Sequence, residues 1–224
     1  MYLSGKNNNK IVFVNPTDKI QVEKTKKLNV IYFDSKNLTF SEVNPFVKLT
    51  YKGLNLQSNL IGKYNYNNIA AAITIGEHFK VQKTLIKKAI EEYTPKNNRS
   101  QIIKKGTNKI ILDAYNANPT SVKAALENFS LLKDINKIVI LGDMFELGIE
   151  SENEHQQISS LCESFKFDKT FLIGENFHKT ITKNIKFSSF DELKLYLKKQ
   201  KIIKSTILIK GSRGMALERI LDII

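Results

Sequence analysis

At 224 residues the chain can form one large or two modest domains, and 42% hydrophobic content is ample for a packed core and argues against disorder. No run of about 18 apolar residues occurs, which excludes a membrane-spanning helix, and the opening MYLSGKNNNK has no apolar signal-peptide core. The net charge of +13 is dispersed (KTKK, LIKKAI, KKQKIIK) rather than interleaved with aromatics, so it reads as a lysine-rich surface more than a nucleic-acid platform; the single cysteine, Cys162, cannot form an internal disulfide and fits a reducing cytoplasm.

In chain order, KIVFVN and NVIYFDS read as strands flanking a short helix at about 17–26. PFVKLTYKG and LNLQSNLIG read as a hairpin turning at Lys52-Gly53, followed by two helices, YNYNNIAAAITIGEHF and QKTLIKKAIEEY. Pro95 and the polar TPKNNRS interrupt the pattern and mark a linker. Beyond it, short apolar runs (KIILDAY, KIVILGDM, KTFLIGE, STILIKGS) alternate with helical segments. In 119–133, Val122, Ala125, Leu126 and Phe129 fall on one helical face, and DELKLYLKKQ and RGMALERILDII read as further helices. Strands apolar on both faces and separated by helices predict a Rossmann-like parallel α/β sheet. The expected organisation is an incomplete domain over 1–94, a linker over 95–100 and the Rossmann-like domain over 101–224.

Open parallel sheets bind ligands beyond the carboxyl ends of their strands. Three strands here run into polar, glycine-containing sequence: DAYNANPTS, GDMFELG and KGSRGMALE. Asp113, Asp143, Glu146, Lys210, Ser212 and Arg213 are thereby expected at one edge. Asn116 and Asn118 each offer donors and an acceptor without charge, while Lys210 and Arg213 suit a carboxylate or phosphate. Ser212 would precede a helix N-terminus that favours an anion. Each has a plainer reading: Asn, Pro, Thr and Ser at 116–121 also make a turn and a helix cap, and Asp143 can cap a helix. In GKYNYNNIAAA, Asn65 and Asn68 share one face at a helix start, available to a planar ligand or to capping. Arg99, in the linker, is placed to reach a ligand or is simply a surface arginine. His78, His155 and His178 lack metal-ligand spacing, and SGKNNNK does not match the G-x-x-x-x-G-K-[ST] phosphate loop.

In order and spacing, DAYNANPTS, GDMFELG with His155 following, and KGSRGMALE resemble the C-terminal signatures of the Mur ligase family, in its dipeptide-adding branch. GKYNYNNIAAA resembles the family's G-x-H-N-x-x-N-x-x-A-A element, with Tyr64 where histidine is usual. Four ordered motifs across about 160 residues carry the resemblance, and residues 1–61 resemble the last part of the family's central ATPase domain with its small accessory sheet.

That resemblance implies an ATP- and Mg2+-dependent acid–amino-acid ligase of peptidoglycan synthesis, joining UDP-MurNAc-tripeptide to D-Ala-D-Ala through an acyl phosphate. It implies ATP contacts by Tyr64, Asn65, Asn68, Arg99, Asp113, Tyr115 and Asn116. It implies a dipeptide pocket shaped by Asn118, Asp143, Glu146, Lys210, Ser212 and Arg213. The family's UDP-binding domain, phosphate loop and metal carboxylate have no counterpart in these residues, so Mg2+ ligands are expected elsewhere and the chain is expected to be a monomeric, cytoplasmic part of a ligase, inactive alone. Folylpolyglutamate-type ligation and a non-catalytic nucleotide- or nucleic-acid-binding module remain the competing readings.

Overall fold

The computed structural model describes residues 10–33 and 36–224; the Gly5-Lys6 pair of SGKNNNK lies outside them. The chain divides into two compact units between Tyr93 and Thr94.

In the first unit, β1 (Val12–Val14) and β2 (Val30–Tyr32) pair in parallel around α1 (Lys19–Thr25), whose start is capped by Asp18 accepting from the Ile20 and Gln21 amides. A three-stranded antiparallel sheet follows in the order β3 (Leu38–Val43), β4 (Phe46–Tyr51), β5 (Leu54–Ile61). Lys52 and Gly53 both hold positive φ, 45° and 78°, as a two-residue hairpin requires if it is to match strand twist. Along β4, Val47, Leu49 and Tyr51 point into a core shared with Leu56, Ile69, Ile73 and Ile86. The last three come from α2 (Asn65–His78) and α3 (Lys83–Glu92). β3 has no clear period in sequence because a bulge between Phe40 and Glu42 resets its alternation.

The second unit carries six strands: β6 (Gln101–Lys105), β7 (Asn108–Asp113), β8 (Lys137–Gly142), β9 (Lys169–Ile173), β10 (Ile185–Phe187) and β11 (Thr206–Lys210). Their order is β10-β9-β8-β11-β7-β6, parallel except for β6, which pairs antiparallel to β7 at the edge. Helices α4 (Pro119–Ser130), α5 (Ser151–Ser164), α6 (Glu175–Lys179) and α7 (Phe190–Lys199) link the strands. The predicted stripe of α4 is the buried one: Val122, Ala125, Leu126 and Phe129. All five residues of β11 are buried, because helices cover both faces of a central parallel strand. Each fully buried Ile or Leu there contributes about 1.5–3 kcal/mol.

The C-terminus departs from expectation. RGMALERILDII forms no α-helix but two 3-10 turns, Arg213–Met215 and Leu217–Asp222, separated by Ala216 in the left-handed region at φ 46°. Leu217 and Ile220, three apart, are both buried, and a 3-10 turn places such a pair on one side. Ser212 therefore heads no helix long enough to supply an anion-binding dipole.

Candidate functional site

The connection from β7 to β8 passes over the position of β11, continues outward to β9 and β10, and β11 then returns to the gap. The carboxyl ends of β7, β11 and β8 consequently stand side by side, with Lys210 in register with Asp113 on one side and Leu141 on the other. This is the switch point at which an α/β sheet opens a crevice.

Lys210 is 2% exposed, its Nζ 2.7 Å from Asp113 Oδ2 and 3.1 Å from the Asn116 carbonyl, to which it donates. The ammonium expected to await a carboxylate or phosphate is thus already neutralised, as a buried cation must be. The other oxygen of Asp113 accepts from the Ser100 amide at 3.1 Å and its hydroxyl at 3.4 Å, tying the end of the linker to the end of β7. Tyr115 is exposed, and its ring receives two guanidinium groups: Arg99 at 3.8 Å and Arg213 at 5.3 Å from the centroid. Cation–π stacking orders both arginines without consuming their hydrogen-bond donors.

The two asparagines of YNAN act locally. Asn118 is the N-cap of α4: its Oδ1 accepts from the Ser121 amide at 2.9 Å, and Ser121 Oγ accepts from the Asn118 amide at 3.1 Å, closing a capping box. The plainer reading of 116–121 as a turn and helix cap thus holds for Asn118, with Ser121 as its partner. Asn116 Oδ1 accepts from the Ala117 amide.

After β8 the chain is held by three buried side chains. The Asp143 carboxylate accepts from the Asn176 amide at 3.0 Å, the Asn176 side chain at 3.2 Å and the Phe177 amide at 2.9 Å, capping α6. Gly174, at φ 120°, makes room: a Cβ there would lie 2.3 Å from the Asp143 carboxyl carbon. His155 accepts from the Met144 amide through Nε2 at 3.0 Å, which fixes the neutral tautomer whose Nδ1 donates to the Ser151 carbonyl at 2.6 Å. Ser212 Oγ accepts from the Phe145 amide at 2.8 Å, and its own amide donates to the Asp143 carbonyl, clasping this loop to the one after β11. Asp143 and Ser212, predicted as ligand contacts, are thus buried anchors at 3% exposure each. Beyond them Glu146 is exposed and sits at φ 66°, a left-handed conformation uncommon outside glycine, asparagine and aspartate.

In the first unit, Tyr64 precedes α2 and is exposed. Asn65 is buried, donating to the Ile61 carbonyl at 2.7 Å and accepting from Asn68 Nδ2 at 2.8 Å. The pair expected to be open to a ligand is therefore partly self-satisfied, with Asn68 the exposed member.

Sequence reasoning missed Ser100, Asn176 and Phe177, whose contributions are backbone amides or sites distant in sequence. It also missed Glu218, whose Oε2 is buried without a hydrogen-bond partner and which closes the KGSRGMALE motif. Cys162 lies buried in α5, and burial, reinforced by neighbouring Glu163, pushes its thiol up to about 12. Among the described residues no three His, Cys, Asp or Glu side chains are placed to hold a metal ion. No helix among them is long and apolar enough to cross a membrane.

Residues 98–213 match the family model "Mur ligase, glutamate ligase domain". The UDP-N-acetylmuramoyl-tripeptide–D-alanyl-D-alanine ligase of Borreliella burgdorferi is 31% identical over 88% of this chain and 45% of its own length. That of Bacillus subtilis is 32% identical over 72% of this chain and 38% of its own. The chain thus spans less than half the length of these relatives. Among solved structures, MurF from Acinetobacter baumannii superposes with a TM-score of 0.80 at 23% identity, over 95% of this chain and 51% of that one. MurF ligase from Thermotoga maritima in complex with ADP does so at 0.78 and 18% identity, over 97% and 53%.

Proposed function

Because the chain belongs to the Mur ligase family, we propose that it is the part of an ATP-dependent D-Ala-D-Ala-adding ligase that helps hold nucleotide and presents the acceptor dipeptide to UDP-MurNAc-tripeptide. One observation carries the reading: the three signature segments leave adjacent strand ends at the switch point of the sheet. The names of the relatives at about 30% identity support the dipeptide-adding branch over folylpolyglutamate-type ligation. The ADP complex of the Thermotoga protein supports a nucleotide ligand.

In this reading residues 1–94 end the central ATP-binding domain, 95–100 are the linker and 101–224 the C-terminal domain. Arg99 engages phosphate, and Asp113, held by Lys210, accepts from ribose hydroxyls, with Tyr115 and Asn116 beside them. Tyr64, Asn65 and Asn68 serve the adenine, Asn68 most directly. The acceptor faces Glu146 and Arg213, while Asn118, Asp143, Lys210 and Ser212 keep the loops in place. The carboxyl group to be ligated is activated as an acyl phosphate, which the incoming amine attacks; charge neutralisation and positioning dominate such chemistry. The sequence holds no G-x-x-x-x-G-K-[ST] phosphate loop, so Mg2+ and the phosphate anchor are assigned to the remainder of the ligase. The protein works as a monomer in the cytoplasm, without nucleic acid.

Thermal-shift titration of the chain with ADP tests the reading. A saturable rise in midpoint at millimolar nucleotide is expected, together with no phosphate release from ATP when all three substrates are supplied. No response to ADP, combined with heparin retention that falls steeply with salt, would favour a nucleic-acid-binding module instead.

A further inference from the structure

Lysines that look scattered along the sequence are gathered by the topology of the second unit. In a parallel sheet every loop that precedes a strand emerges at the amino end, opposite the crevice described above. Antiparallel β6 also ends there, with Lys105 paired to Asn108. Because β8, β11, β7 and β6 are adjacent in that order, the loop before β8, the loop before β11 and the β6–β7 turn are neighbours. Hydrogen bonds stitch the three together. Asn136 Nδ2 donates to the Lys204 carbonyl at 3.0 Å, the Lys204 amide donates to Thr107 Oγ1 at 2.9 Å, and Asn108 Nδ2 donates to the Ile202 carbonyl at 2.8 Å. The result is one platform about 15 Å wide, three strand spacings.

This platform is basic and apolar at once. Lys104, Lys105, Lys133, Lys201 and Lys204 are exposed on it, and none has an ion-pair partner among the described residues. The one carboxylate on the three loops, Asp134, is taken by Lys109 at 3.0 Å. Beside the lysines stand large aliphatic side chains with little to pack on: Leu131 is 71% exposed, Ile135 79% and Ile203 62%. The residues that follow the two isoleucines, Asn136 and Lys204, both turn in the left-handed region, at φ 53° and 49°, and are joined by the hydrogen bond above. Single exposed apolar side chains are ordinary; two on adjoining loop tips among unpaired ammonium groups are not. At the opposite end of the sheet the exposed charges are mixed, with Glu146, Glu150 and Glu175 standing against Arg99 and Arg213.

We propose that this amino-end platform docks on an anionic lipid bilayer, with Ile135 and Ile203 entering the headgroup layer and the lysines engaging its phosphates. The chemistry selects lipid over other polyanions. The three loops carry neither an arginine nor an aromatic side chain, so nothing there holds a phosphate bidentately or stacks on a base. Lysine point charges beside aliphatic tips match a diffuse anionic surface laid over hydrocarbon. A second copy docking through the same face would set like charge against like. Docked this way, the strand carboxyl ends point away from the bilayer, and the crevice stays open to soluble ligands.

The test is co-sedimentation of the full chain with vesicles of phosphatidylcholine alone or with about one-third phosphatidylglycerol, at about 0.05 M and about 0.5 M salt. Binding is expected on the anionic vesicles at low salt only. Each ammonium near such a surface contributes about five-fold to partitioning, so Lys105→Gln/Lys133→Gln/Lys201→Gln should bind about 100-fold more weakly. Lys19→Gln/Lys24→Gln/Lys83→Gln removes the same charge from exposed positions of the first unit and should stay within about three-fold of wild type. The chain has no tryptophan, so Ile203→Trp supplies a single reporter whose emission should shift to the blue on anionic vesicles. All these positions are exposed, so the variants should keep the wild-type melting midpoint. No binding to anionic vesicles, equal weakening by the two triple variants, or an unshifted tryptophan on bound vesicles overturns the proposal. So does tighter binding to a single-stranded DNA oligonucleotide than to vesicles, or a dimer in sedimentation that Ile135→Ser/Ile203→Ser abolishes. None of these readouts involves nucleotide or dipeptide, so the outcome is independent of the ligase reading.

Discussion

Replacing Lys210 by methionine keeps the length and apolar stem of the side chain and deletes the ammonium. The Asp113 carboxylate, whose side chain is 17% exposed, then retains only Ser100 as donor, and the Asn116 carbonyl loses its side-chain donor. Breaking one half of a buried ion pair costs about 3–5 kcal/mol; the residual exposure of Asp113 lets water in and brings the expectation to about 2–4 kcal/mol. With a urea m-value of about 1–3 kcal/mol/M for a unit of this size, the midpoint should fall by roughly 1–2 M. Circular dichroism during urea titration reads this directly. The paired variant Lys210→Met/Asp113→Leu should recover most of the loss, because neither charge is then stranded. A single variant costing below about 1 kcal/mol, or a double variant whose cost equals the sum of the singles, would refute the claim that Lys210 is neutralised internally.

Asn118→Ala should destabilise the second unit by about 1 kcal/mol in the same titration, and Asn118→Ser should recover most of it, as a cap rather than a ligand contact requires. Cys162 should resist alkylation at pH 8 in the folded chain and react on unfolding, as followed by mass spectrometry. Its folded-state value of about 12 lies above that of an unfolded thiol. The contribution of this thiol to stability should therefore be complete below about pH 8.5 and decline as pH rises from there, since only the unfolded chain then gives up the proton. A midpoint flat or rising across that range, after correction with Cys162→Ala, would contradict the burial.

The central strands were legible because β7, β8 and β11 are covered on both faces and so appear as unbroken apolar runs; the stripe of α4 was equally plain. β6 was not, since QIIKK is a half-polar edge strand, and the C-terminal turns were not, since Leu217 and Ile220 fit an α-helical as well as a 3-10 spacing. At the site, the identity of the charged residues was legible from three polar strand ends, but their pairing was not. Asp113 and Lys210 lie 97 residues apart, and nothing local distinguishes a cation awaiting a ligand from one facing its neighbour across a sheet. The asparagines were ambiguous for a related reason: the side chain that suits a base or peptide group also caps α4 at Asn118 and braces α2 at Asn65.

The most direct measurement joins this chain, in place of the corresponding C-terminal part, to the remainder of the Borreliella burgdorferi ligase and follows phosphate release with ATP and UDP-MurNAc-tripeptide. The account predicts release that depends on D-Ala-D-Ala and is not supported by glutamate. A folded, ATP-binding chimera that is silent with D-Ala-D-Ala, or that works as well with glutamate, would contradict it.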